Sequence, residues 1–145
     1  WFRQKRNKKM AEVIKDRKNK VEWQGERVEK RNVEESAIEY CERMYPNTTN
    51  EFKKIQEEMY ETFCKKQRNY GPDNISVGSN LETEDEIKIS LTGLWFRMND
   101  KIQRLKQLVV LGQPDEVGEN IQDTYEDLSV YGVIAQIVQR KKWAK

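Results

Sequence analysis

Glu119, Asp123 and Asp127 recur at four-residue steps in the stretch ENIQDTYEDLSVYG, residues 119–132. On a helix that spacing puts all three on one face, within roughly 12 Å of one another. Carboxylates so placed repel, and burial raises their pKa values unless cations neutralise them. Something positive is therefore expected opposite. Lysine and arginine from a facing helix meet the need, and so does a divalent cation, Mg²⁺ or Mn²⁺, which takes oxygen ligands and keeps waters for a phosphate substrate. A solvated acidic face is the third reading.

The preceding helical segment carries Arg97, Asp100, Lys101 and Arg104, three cations around one acid, on the side away from Met98, Ile102 and Leu105. Two helices joined by a short turn run antiparallel and bring this patch against the acidic one. The outcome is either an interhelical salt-bridge network or a site. In a site, Asp100, Glu119, Asp123 and Asp127 are the metal ligands and catalytic carboxylates, and Arg97, Lys101 and Arg104 are donors to phosphate oxygens. The chain contains no histidine. That excludes Ser-His-Asp and Cys-His chemistry and imidazole-ligated metals, leaving carboxylates, amines, hydroxyls or metal-bound water.

The elements that must position these groups follow from apolar periodicity. Ala37, Ile38, Cys41, Met44 and Tyr45 mark a helix over 33–45, stopped by Pro46. Thr48 with Glu51, or Asn50 alone, caps a helix from about residue 50, whose buried stripe is Phe52, Ile55, Met59 and Phe63 and whose end is Gly71 in the left-handed conformation. GPDNISVGSNLETEDE reads as a polar loop. The alternation Ile87, Ile89, Leu91 admits a strand, but no partner strand is evident, so a helix from 86 or 90 to Leu111 is favoured, with Leu94, Met98, Ile102, Leu105 and Val109 inward. Pro114 with Asp115 and Glu116 suits the first turn of a last helix over about 114–141. Its stripes are Ile121, Tyr125, Leu128, Gly132, Ala135 and, separately, Glu116, Glu119, Asp123, Asp127, Val130, Ile134, Ile137.

The expected fold is thus all-α, an antiparallel bundle of about four main helices in a single domain over 33–145, preceded by a basic helical arm over 1–32. Charged and apolar residues each make up 36% of the 145 residues, a balance that suits helices with solvated outer faces. The arm holds most of the imbalance behind a net charge of +2. It offers a contact to nucleic acid or to an acidic lipid surface, though a frayed, solvated terminus is the favoured reading, and Met10 is a candidate start. Cys41 and Cys64 lie on apolar stripes and are expected as buried, reduced thiols. With no apolar run near the roughly 20 residues of a membrane span, the expected place is the cytoplasm.

Three segments, KKQRNYG, GLWFRMNDKIQRLKQL and ENIQDTYEDLSVYGVIA, agree in order and spacing with a known pattern. The chain resembles the first type of nucleotide modification associated domain, a family found mostly in bacteriophages and bacteria, over residues 51 to 140. The resemblance implies an α-helical protein encoded among phage nucleotide-metabolism and DNA-modification genes, without implying an established reaction. It singles out Tyr70, Gly71, Arg97, Asp100, Lys101, Arg104, Glu119, Asp123, Asp127 and Tyr131. Val130 and Gly132 flank the last tyrosine where the family has an Asn-Tyr-Ala segment. More distantly, the chain is similar to the all-α nucleoside triphosphate pyrophosphohydrolases of the MazG and dimeric dUTPase kind, whose Glu-Glu-x-x-Glu and Glu-x-x-Asp helices are not matched here.

Two functions are expected on these grounds. One is a Mg²⁺-dependent hydrolase of nucleotides or dNTPs, with Tyr70 and Tyr131 joining Arg97, Lys101 and Arg104 in binding. The other is a non-catalytic nucleotide-binding or interaction module of a DNA-modification system. A purely structural adaptor is the third reading, and a homodimer is favoured because the last helix presents two contact faces.

Overall fold

The computed structural model describes residues 34–145; the expected arm over 1–32 lies outside the described residues. Contacts divide the chain into two units, residues 1–49 and 50–145. The described residues are all-α, with helices α1 (Ala37–Met44), α2 (Pro46–Tyr70), α3 (Asp73–Ser76), α4 (Glu84–Leu105) and α5 (Ile121–Gln139). A π-helical turn, Lys106–Val110, follows α4 directly.

In the first unit, Ser36 caps α1 reciprocally. Its hydroxyl accepts from the Glu39 N–H while Glu39 accepts from the Ser36 N–H, which satisfies two of the donors a helix start leaves bare. Pro46 ends α1, as expected, but it also opens α2. A proline at the first helical position has no N–H to lose and a φ already suited to a helix. The expected start at residue 50 is therefore four residues late.

Within the second unit, pairings fix the topology. Arg104 meets Thr124, Lys101 meets Asp127 and Lys141 meets Glu84; numbers fall along α4 as they rise along α5, so the two are antiparallel. On the other side of α5, Lys66 reaches Asp127 while Gln56 and Ile137 line one groove, so α2 is antiparallel to α5 as well. The last helix does contact neighbours on two sides. This unit holds the long helices α2, α4 and α5 with the short α3, while the first of the four expected helices is α1 of the other unit.

The core is Ile75, Leu81, Ile87, Leu94, Ile134, Val138 and Trp143. Two of its members, Ile75 and Leu81, come from the stretch read as a polar loop, which instead folds as α3 and an ordered turn. A third, Trp143, sits in the basic tail and donates its indole N–H to the Pro72 carbonyl at 3.0 Å. The strand alternative for 87–91 is overturned. Thr83 and Glu86 form a capping box that starts α4 at Glu84, and Ser90 is buried with its hydroxyl on the Ile75 carbonyl at 2.7 Å.

Several expected stripes are only half covered. Met59 and Phe63 of α2 pack, while Phe52 and Ile55 are exposed; Leu94 is buried, while Ile102 and Val109 are exposed. Cys41 is partly buried and Cys64 is exposed, because Cys64 falls beside rather than on the α2 face that meets α5.

The largest correction concerns the last helix. It begins at Ile121, capped by the Asn120 side chain, not near 114. Asp115 turns back to accept from the N–H groups of Val117 and Gly118, and Gly118 takes φ +77°. The segment 111–120 is thereby an ordered loop, and Glu119 precedes the helix instead of sharing a continuous face with Asp123 and Asp127.

Candidate functional site

Between α2, α3, α4, α5 and the C-terminal tail lies a cavity of about 290 Å³. Its apolar wall comes from Phe63, Ile75, Val130, Ile134 and Trp143, with the Phe63 and Trp143 rings meeting edge to face at 6.2 Å. Lys66, Gln67, Tyr70, Asn74, Arg97, Asp127 and Tyr131 form its polar side. Helix spacing explains the grouping. Lys66, Gln67 and Tyr70 fall on adjacent positions of one α2 face, and Asp127, Val130, Tyr131 and Ile134 do the same on α5.

Asp127 is held between two ammonium groups, Lys101 at 2.8 Å and Lys66 at 3.1 Å. Burial pushes its carboxyl up, but the hydrogen bonds from Lys101 and Lys66, with their charges, outweigh this and hold it below the ordinary value. The same hydrogen bond to Asp127 raises Lys101 above its ordinary value against a smaller opposing effect of burial. The expectation that cations would face these carboxylates is met at Asp127.

Arg97 donates from Nη2 to the Asn74 carbonyl at 2.8 Å, and its guanidinium carbon stands 6.0 Å from the centre of the Tyr131 ring. The guanidinium is thus held by α3 on one side and α5 on the other.

Arg104 belongs to a separate cluster. It donates to the Glu119 carboxylate at 2.8 Å, to Thr124 Oγ1 at 2.9 Å, to Asp115 at 3.1 Å and to the Glu119 carbonyl at 2.9 Å. Those bonds tie the 111–120 loop to α4 and satisfy the fully buried Thr124 hydroxyl. They commit Arg104 to structure, not to the cavity. Asp100 and Asp123 are exposed. Among the described residues no three acidic or cysteine side chains are grouped to hold a metal ion, so Asp100, Glu119, Asp123 and Asp127 are not gathered into a ligand set.

No family model, curated protein or solved structure matches this chain. Four of the residues singled out in the sequence, Tyr70, Arg97, Asp127 and Tyr131, line the cavity, and Lys101 reaches it through Asp127. Sequence reasoning missed Lys66, Gln67, Asn74 and Trp143. Lys66 and Gln67 had a signal, standing four and three residues before Tyr70 and so one helical turn from it. Asn74 and Trp143 had none, since each depends on a turn whose path only the fold reveals.

Among the described residues, no helix is long and apolar enough to cross a membrane.

Proposed function

We propose that the protein binds a nucleotide in this cavity and acts as a non-catalytic binding module of a phage-type nucleotide-metabolism or DNA-modification system. One observation carries the reading: two aromatic rings, Tyr70 and Tyr131, and two cations, Lys66 and Arg97, line one cavity over an apolar wall. A nucleotide needs those parts, a flat surface for the base and donors for phosphate oxygens. The resemblance to the nucleotide modification associated domain points the same way, since its Tyr70, Arg97, Asp127 and Tyr131 positions are among the lining. Binding is preferred over hydrolysis because Asp127, the one acidic residue in the cavity lining, is already neutralised by Lys66 and Lys101.

Titration calorimetry with a panel of deoxynucleotides, with and without Mg²⁺, tests the reading. Binding is expected without metal and is expected to weaken about tenfold or more in Arg97→Ala. Turnover of any nucleotide in the presence of Mg²⁺ or Mn²⁺ would favour the hydrolase instead, and the absence of any binding by folded protein would reject both.

A homodimer is part of the same proposal. Trp95 and Ile102 lie seven residues apart on α4 and are 56% and 52% exposed, an apolar stripe with acids at one end, Glu84 and Asp85, and Lys106 at the other. A second copy laid antiparallel on it pairs opposite charges. Sedimentation velocity of the protein and of Trp95→Glu decides the point, a dimer that the variant abolishes being the expected result.

A further inference from the structure

The cavity carries more information than the class of its ligand. We infer that the ligand is a nucleoside monophosphate, recognised at its base by the side-chain amides of Gln67 and Asn74, an assignment that rests on the nucleotide reading of the same site.

Charge favours a single phosphate. Two cations, Lys66 and Arg97, line the cavity beside one carboxylate, Asp127, which is also paired with Lys101 from outside the lining; with Lys101 answering Asp127, two positive charges are left to face a ligand at the polar side. A phosphate monoester carries about 1.5 to 2 negative charges at neutral pH and balances them. A triphosphate brings more negative charge than these cations balance.

Size agrees with charge. At about 290 Å³ the cavity lies at the lower edge of the roughly 300–1,000 Å³ typical of small-molecule sites. One base, one sugar and one phosphate suit that space better than a chain of three phosphates.

The amides supply the means of reading a base. Gln67 and Asn74 both line the cavity, and neither side-chain amide makes a hydrogen bond among the described residues. The Asn74 backbone, by contrast, is fixed through its carbonyl by Arg97 at 2.8 Å. A carboxamide presents a donor and an acceptor side by side, the pattern complementary to a base edge. With Tyr70 at the same rim, the base lies against the ring within reach of both amides while Lys66 and Arg97 hold the phosphate. Lys66 exchanges its Asp127 contact for the ligand, a trade open to a side chain that is 54% exposed.

Calorimetry on the full chain tests this with the four common deoxynucleoside monophosphates, the matching triphosphates with and without Mg²⁺, the nucleosides and inorganic phosphate. The expected result is that monophosphates bind at least about tenfold tighter than triphosphates, nucleosides or phosphate, with preference among the bases. Gln67→Leu and Asn74→Leu, checked for unchanged helicity and melting, are expected to level that preference while keeping the advantage of the monophosphate over the nucleoside. Tighter binding of a triphosphate with Mg²⁺ would overturn the monophosphate assignment and leave the nucleotide reading standing. Base preference unchanged in both variants would overturn the role of the amides. No nucleotide binding by folded protein would sink this inference together with the reading it rests on.

Discussion

The Lys101 ammonium and the Asp127 carboxylate meet at 2.8 Å across the α4–α5 seam, with side chains 27% and 18% exposed. Their pKa shifts have opposite signs and one consequence. Asp127 is lowered below 3.8, so the stability it contributes is present above that ordinary value and is lost as pH falls through the lower folded-state one. Lys101 is raised above 10.5, so its contribution is present below that value and is lost as pH rises through the higher folded-state one. Urea unfolding followed across pH should therefore give a plateau through neutrality with an acid limb, and Asp127→Asn should shrink that limb. At pH 7 the same substitution should cost about 1–3 kcal/mol, because it leaves Lys101 partly covered without its counter-charge. Lys66→Ala should cost less than about 1 kcal/mol, its side chain being half in solvent.

Trp143 is 4% exposed and bonded to the Pro72 carbonyl. Trp143→Ala should destabilise by about 3–5 kcal/mol through the void it opens. Trp143→Phe keeps an aromatic ring and loses the N–H, for about 1–2 kcal/mol. Circular dichroism in urea measures both without relying on indole fluorescence.

Val77 holds φ +54°, a left-handed conformation that a β-branched residue adopts at a cost. It is 63% exposed, so little burial is lost by replacing it. Val77→Asn should stabilise the protein by about 0.5–1 kcal/mol, read as an upward shift in melting temperature.

Arg104 makes four hydrogen bonds to three residues. Lysine cannot reproduce that planar fork. Arg104→Lys should cost about 1–3 kcal/mol and should speed amide exchange at Val117 and Gly118, which depend on Asp115, with α2 exchange unchanged.

The long helices and their class were legible in the sequence because apolar residues recur at three and four along them, whereas α3 lay hidden in a stretch read as a polar loop. The pairing of the α4 cations with the acids that come after them was legible too. Two further things were not legible. The start of α5 was misplaced because Pro114, Asp115 and Glu116 have the chemistry of a first turn, and only the fold shows Asp115 committing its carboxylate to a loop. The buried face of α5 was mixed. Val130, Ile134 and Ile137 do pack on the core, whereas Tyr125 is 45% exposed and Thr124, a polar residue, is fully buried. Hydropathy cannot anticipate a threonine whose burial depends on an arginine twenty residues away. Ile75, Leu81 and Trp143 were hidden for a related reason: each stands in a mostly polar stretch with no helical period to betray it.

The π-helical turn at Lys106–Val110 closes with the Leu111 N–H on the Lys106 carbonyl at 3.0 Å, five residues back instead of four. Such a widening accommodates one surplus residue without breaking the rod, and it rotates everything beyond it relative to a regular spiral. Val109, Val110 and Leu111 consequently look into water. Excising a single residue there would restore ordinary pitch, swing that oily trio around the axis and leave the Asp115 loop out of step with the guanidinium that anchors it.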